Sequence, residues 1–199
     1  MVVPLAGSEA SLGACIASGG VAVFPTDTVY GLCCDPENVA AVRRLYTLKG
    51  RAADKPAALL FFALDAAIIM LPWLGERAQS ALRALLPGPV TVLLPDPERR
   101  FPLAGGRLLG LRVIDIGLSL DVPVLQSSAN RSGAGDPRRL TDIPTRIREA
   151  ADLVIDAGEL PGVPSTVVDL SELERGGTWR VVREGALAKH QLEQRLRDI

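Results

Sequence analysis

Apolar residues follow two different spacings along this chain. Three-to-four-residue spacing predicts helices, and short alternating or continuous apolar runs predict strands. Residues 8–18 read as a short helix closed by Gly19-Gly20. Residues 21–24 are a brief β-type run before Pro25. Asp35-Pro36 predicts a helix start, with Asp35 as N-cap and Pro36 at the first helical position. Val39, Val42, Leu45, Tyr46 and Leu48 then carry the helical period to Gly50. Residues 57–62 predict a buried strand, followed by helices from about residue 65 to Pro72 and over 75–86. Pro87-Gly88-Pro89 breaks the pattern before a β run at 90–94. Further strands are predicted at 109–114, 122–126, 152–156, 165–170 and 178–183. Helices are predicted near 141–150 and over a charged tail at 186–197.

Helices and strands interleave without a strict βαβ rhythm. This predicts an α/β fold on a mixed, twisted sheet with flanking helices. No repeat or low-complexity linker divides the chain, so residues 1–199 read as one domain. A chain of 199 residues, 48% hydrophobic, is long enough to bury a substantial core.

Charge narrows the function classes. The formal net charge is -1, which argues against a globally basic nucleic-acid coat but not against a local basic groove. Aromatic content is 4%, little for a base-stacking platform. Three cysteines (Cys15, Cys33, Cys34) form no C-x-x-C and read as reduced thiols. The single histidine, His190, lies in the tail pattern, so neither a Cys/His metal site nor a Ser/His/Asp triad can be assembled. The start lacks a basic, then apolar, leader pattern, and no long apolar span occurs; a cytoplasmic protein is expected. Lysine occurs only at 49, 55 and 189, against 19 arginines. A chain that prefers Arg so strongly nevertheless keeps two Lys six residues apart.

Four stretches carry chemistry. Residues 25–32, PTDTVYGL, place two hydroxyls, a carboxylate and a phenol just past a predicted strand, where ligands bind α/β sheets; a polar turn is the plainer reading. Lys49, Arg51 and Lys55 suit a phosphate chain, or else answer a helix dipole. SSANRSG at 127–133 follows a strand with small hydroxyls, an amide, Arg and Gly, a loop able to hold an anion. It is neither a P-loop nor G-x-G-x-x-G. PSTVVD at 164–169 opens a β-branched strand with Ser165. Arg112 and Arg183 sit within or at the end of β runs, facing either a pocket or solvent. This cationic, hydroxyl-rich set suits an anionic nucleotide with a small polar substrate. Catalysis would then rest on positioning and electrostatics rather than on a protein nucleophile.

These stretches, in this order, resemble the YrdC-like family of threonylcarbamoyl-AMP synthases. The likeness runs from about residue 19 to 185 and includes Leu86-Pro87-Gly88-Pro89-Val90-Thr91 and Val182-Arg183-Glu184-Gly185. It implies a mixed, twisted sheet with a cationic concave face. It also implies an enzyme that joins L-threonine, bicarbonate and ATP into threonylcarbamoyl-AMP and pyrophosphate, with magnesium accompanying ATP. A downstream transferase complex would pass the threonylcarbamoyl group to tRNA. By the resemblance, Lys49 and Arg51 are catalytic. ATP would be bound by Lys49, Arg51, Lys55, Ser128, Asn130 and Arg183. Threonine would be bound by Thr28, Arg112, Gln126 (through its backbone) and Ser165. No resident metal site and no membrane partner are implied. The chain departs from the family pattern at Cys33, Ala52, Leu60 and residues 114–117. Two other readings stand beside the synthase: an altered paralogue that binds RNA or ribosomes, and a carbamoyl-adenylate-dependent carbamoyltransferase.

Overall fold

The computed structural model describes residues 1–50, 57–104 and 107–199. In chain order its elements are β1 (Val2–Pro4), α1 (Glu9–Ala17), β2 (Ala22–Phe24), β3 (Gly31–Cys34), α2 (Val39–Lys49), β4 (Ala58–Phe61), α3 (Leu64–Met70) and α4 (Glu76–Leu85). They continue with β5 (Val90–Pro95), β6 (Leu108–Val113), β7 (Val124–Ser128), α5 (Thr145–Ala150), β8 (Leu153–Asp156), β9 (Thr166–Asp169), β10 (Arg180–Arg183) and α6 (Lys189–Arg195). The strands form one sheet in the order β1-β8-β2-β3-β7-β4-β6-β5-β9-β10. Four pairs are parallel (β1 with β8, β2 with β8, β4 with β6, β5 with β9) and the other five are antiparallel. The mixed α/β sheet expected from the pattern is therefore present. Among the described residues, no helix is long and apolar enough to cross a membrane.

Local chemistry explains where elements begin and which face they bury. The expected cap at Asp35 is corrected: helix α2 starts after Asn38, whose side chain accepts from the Ala41 N–H at 3.0 Å. Asp35 instead makes a turn, accepting from the Glu37 N–H at 2.8 Å. Gly50, at φ 60°, closes α2 in the left-handed conformation. The buried stripe of α2 is Ala41, Val42, Leu45, Tyr46 and Lys49. Val39 and Leu48 lie off this stripe, and Lys49 completes it at helical spacing. The sequence pattern thus carries a lysine into the interior.

Alternation along the strands sorts side chains onto two faces. One face meets α2, α3, α4, α5 and α6 through residues such as Leu32, Leu59, Leu111, Leu125 and Val92. At its other face, α1 covers only the part near Phe24, Cys33, Leu60 and Val124, with Leu12 and Ile16. Beyond α1 the same face carries Ala58, Thr91, Leu93, Gly110, Arg112, Gln126 and Ser128. These positions alternate strictly with the core residues and line a cleft. The site is the uncovered part of a half-covered sheet.

Candidate active site

The cleft holds about 280 Å³, at the small end of ligand pockets. Its floor is set by register. Ala58 pairs with both Gly110 and Gln126, and Gly110 pairs with Leu93. Two small residues at the centre of this row make the depression. A Cβ added at Gly110 would lie 3.4 Å from Ala58, so any longer side chain there would project into the cleft.

Arg112 lies at one end, 3% exposed. Its Nη2 donates to Asp27 Oδ1 at 2.5 Å and Thr28 Oγ1 at 3.1 Å, and its Nη1 reaches Gln126 Oε1 at 3.5 Å. Thr28 is held by Thr26, whose Oγ1 donates to the Val29 carbonyl at 2.7 Å and accepts from the Thr28 and Val29 N–H groups. Burial pushes the Asp27 carboxyl above its ordinary range, and the Arg112 guanidinium opposes that shift only in part. Burial likewise lowers Arg112; Asp27 opposes the shift and Arg183 adds to it. Desolvation therefore outweighs attraction on both partners. Asp27 Oδ2 and Arg112 Nε are moreover buried without a hydrogen-bond partner among the described residues. An orphaned buried polar atom costs about 1–3 kcal/mol, so the pair is incompletely satisfied as it stands.

At the other end is the 127–136 loop, organised around Asn130. Its Nδ2 donates to the carbonyls of Ala134 (2.7 Å) and Gly135 (3.1 Å) and to Asp136 Oδ1 (3.2 Å). Its Oδ1 accepts from Ser128 Oγ at 2.8 Å and from Lys49 Nζ at 2.7 Å. Lys49 also reaches Ser128 O, Ser128 Oγ and Asn130 O at 2.5–3.3 Å, and the residue is 2% exposed. The ammonium therefore fastens the loop from beneath.

The third wall is the 164–167 segment. Ser165 Oγ lies 2.7 Å from Thr91 Oγ1, and Arg183 Nη2 donates to the Ser165 carbonyl at 2.7 Å. Gly185 lets the chain press against this wall: a Cβ there would lie 2.2 Å from the Pro164 carbonyl oxygen. Gly185→Ala is expected to shift Ser165 and raise the KM for the small substrate several-fold, with kcat less affected. Steady-state kinetics on that substrate checks it.

Among the residues singled out in sequence, Thr28, Arg112, Gln126, Ser128, Ser165 and Arg183 line the cleft together. Gln126 does so through its side chain, whereas a backbone role was expected. Lys49 and Asn130 lie behind Ser128. Arg183 stands at the Ser165 wall. Arg51 and Lys55 lie outside the described residues. Tyr30 is structural: its hydroxyl donates to the Gly158 carbonyl (2.9 Å) and accepts from the Ala157 N–H (2.9 Å), and burial pushes its pKa up to about 12. Sequence reasoning counted the Asp27 carboxylate and Thr91 within motifs but gave neither a role. The alternation of Thr91 with Val90 and Val92 would have placed it beside Arg112's face, but the ion pair of Asp27 joins residues 85 apart and has no local signal.

The donor set suits anions. Among the described residues no three His, Cys, Asp or Glu side chains group to hold a metal ion. Among the described lining residues, hydroxyl and amide oxygens and the Asp136 carboxylate could complete the shell of a magnesium carried on a nucleotide's phosphates.

The chain is similar in sequence and fold to known proteins. The Sua5_yciO_yrdC family, described as Telomere recombination, matches residues 14–185. A threonylcarbamoyl-AMP synthase of Thiobacillus denitrificans is 35% identical over 178 residues, covering 83% of this chain and 92% of its own. One from Pyrococcus abyssi is 29% identical over 198 residues; this chain spans 56% of that relative's length. The crystal structure of P. abyssi Sua5 complexed with L-threonine has a TM-score of 0.84 at 25% identity, covering 98% of this chain and 60% of that one.

Proposed function

The chain belongs to the Sua5/YciO/YrdC family, and from that premise we propose that it is a threonylcarbamoyl-AMP synthase. It joins L-threonine, bicarbonate and ATP, releasing pyrophosphate and water. The observation that carries this reading is Arg112, a buried guanidinium flanked by the Thr28 hydroxyl at the end of a small cleft. That is an α-carboxylate site for an amino acid. The Ser165–Thr91 hydroxyl pair on the next wall offers partners for a threonine hydroxyl. Selectivity for threonine over serine rests on its methyl group and is worth only about 1–3 kcal/mol.

The nucleotide lies toward the Ser128–Asn130 loop, with Arg183 toward its phosphates; Arg51 and Lys55 are assigned to the phosphates by the family resemblance alone. Lys49 acts by holding that loop and adding positive charge beneath it. A carbamate oxygen formed on the threonine amine attacks the α-phosphorus in line, and the cations stabilise the leaving pyrophosphate. A magnesium ion would be held by the nucleotide's own phosphates and neutralise their charge when bound. The product's threonylcarbamoyl group then passes to a tRNA adenosine through a partner transferase.

Incubation with ATP, labelled bicarbonate and each of several amino acids tests this reading. Threonine-dependent pyrophosphate and a labelled adenylate are expected. Absence of product with every amino acid would refute it.

A further inference from the structure

The reaction needs a neutral amine, because an ammonium has no lone pair with which to form the carbamate C–N bond. An amino acid at neutral pH arrives as the ammonium, so a proton must be taken within the cleft. The groups around Arg112 limit what can take it. Lysines and arginines are already protonated, and the nearby hydroxyls and amides are too weak as bases. Two carboxylates come into question, one lining the cleft and one beside Arg112. Asp136 lies at the far wall, engaged by the Asn130 amide at 3.2 Å. Asp27 touches the guanidinium that receives the substrate carboxylate.

We propose that Asp27 accepts the proton of the substrate's α-ammonium and so activates the amine. This rests on reading the cleft as an amino-acid site. The α-nitrogen of an amino acid is two bonds from its carboxylate carbon. A carboxylate on Arg112 therefore brings the ammonium next to whatever else Arg112 touches, and that is Asp27 and Thr28. The substrate's carboxylate replaces Asp27 on the guanidinium, and Asp27 turns to the ammonium. Its second oxygen, which has no hydrogen-bond partner among the described residues, then gains a use.

The step balances. One N–H bond of the ammonium breaks and its proton moves to a carboxylate oxygen of Asp27. The freed lone pair forms the C–N bond to carbon dioxide drawn from bicarbonate. The second N–H proton joins the hydroxide that bicarbonate releases, giving water. Burial favours a carboxyl that can hold this proton, while Arg112 keeps it ionised beforehand. The charged group that bears on Asp27 is Arg112 from β6, which in turn feels Arg183 from β10; Asp136 lines the cleft from the 127–136 loop.

The test compares wild type with Asp27→Asn across neutral to alkaline pH at fixed bicarbonate, following threonine-dependent pyrophosphate release. At neutral pH the variant should lose about 10²–10⁴-fold. It must await amine already neutral in solution, so its deficit should shrink about tenfold per pH unit toward the amine's pKa. A structural role would lower the rate equally at all pH values, and that result overturns the proposal, as does a wild-type-like rate. Wild type gives a readout that needs no folded variant. Its kcat/KM should stay level where the amine is still protonated; a tenfold rise per pH unit there would overturn the proposal. Asp27→Glu should keep the level profile at a reduced rate. A wild type without turnover would instead refute the synthase reading itself.

Discussion

Lys49→Ala is expected to abolish threonine-dependent pyrophosphate release, lowering kcat by about 10²–10³-fold or more. The ammonium reaches four oxygens of Ser128 and Asn130 from a position 2% exposed. Its removal leaves two backbone carbonyls and the Asn130 side chain without their cation, and each orphaned group costs about 1–3 kcal/mol. The 127–136 loop should then exchange backbone amide hydrogens faster while the sheet core remains protected. Lys49→Arg is not expected to restore activity. A compact ammonium directs three donors into a tight cluster, whereas a planar guanidinium needs a wider, flat set of acceptors. Full activity in Lys49→Arg would remove this account of the site.

Arg112→Gln is expected to raise the threonine KM by about 10²-fold, the size of a lost charge-assisted contact. It also leaves Asp27 buried without its counter-charge, at a cost of about 3–5 kcal/mol near neutral pH. The sign of the pH dependence follows from that carboxyl. Burial already raises it, and Arg112 is what opposes the rise. Without Arg112 the folded-state pKa climbs further above the unfolded value. The associated stability is then present below the ordinary carboxylate range and lost as pH rises through the folded pKa. Urea unfolding should thus show the variant's deficit shrinking as pH falls from neutral toward the ordinary carboxylate range. Adding Asp27→Asn to Arg112→Gln should recover much of the stability without recovering threonine affinity. That separates the pair's structural cost from its binding role.

Much of this was readable from the chain. The helical and alternating spacings placed α2, α4 and the central strands, because each buries one clear face. Strand β3 was hidden, since all four of its residues are buried and no alternation remains to be seen. Edge strand β1 was hidden for the opposite reason, being three largely solvated residues. The scarcity of lysine pointed to residue 49, but not to what it does. The helix caps at Asn38 and packs with Lys49 inward, which the cation's place near a helix end does not reveal. Thr28, Arg112, Ser128 and Ser165 line one cleft, Arg112 and Ser128 from strands and Thr28 and Ser165 from the turns beside them. The Asp27–Arg112 pair was not legible, since only the folded sheet brings residues 85 apart into contact.

The central claim is that this face binds an amino acid by its carboxylate at Arg112. A crystal structure with L-threonine bound measures it most directly. The account predicts the carboxylate on the Arg112 guanidinium and Thr28 hydroxyl, the side chain toward Ser165, and Asp27 moved from Arg112 to the α-nitrogen. Threonine bound elsewhere, with the Asp27–Arg112 contact intact, would contradict it.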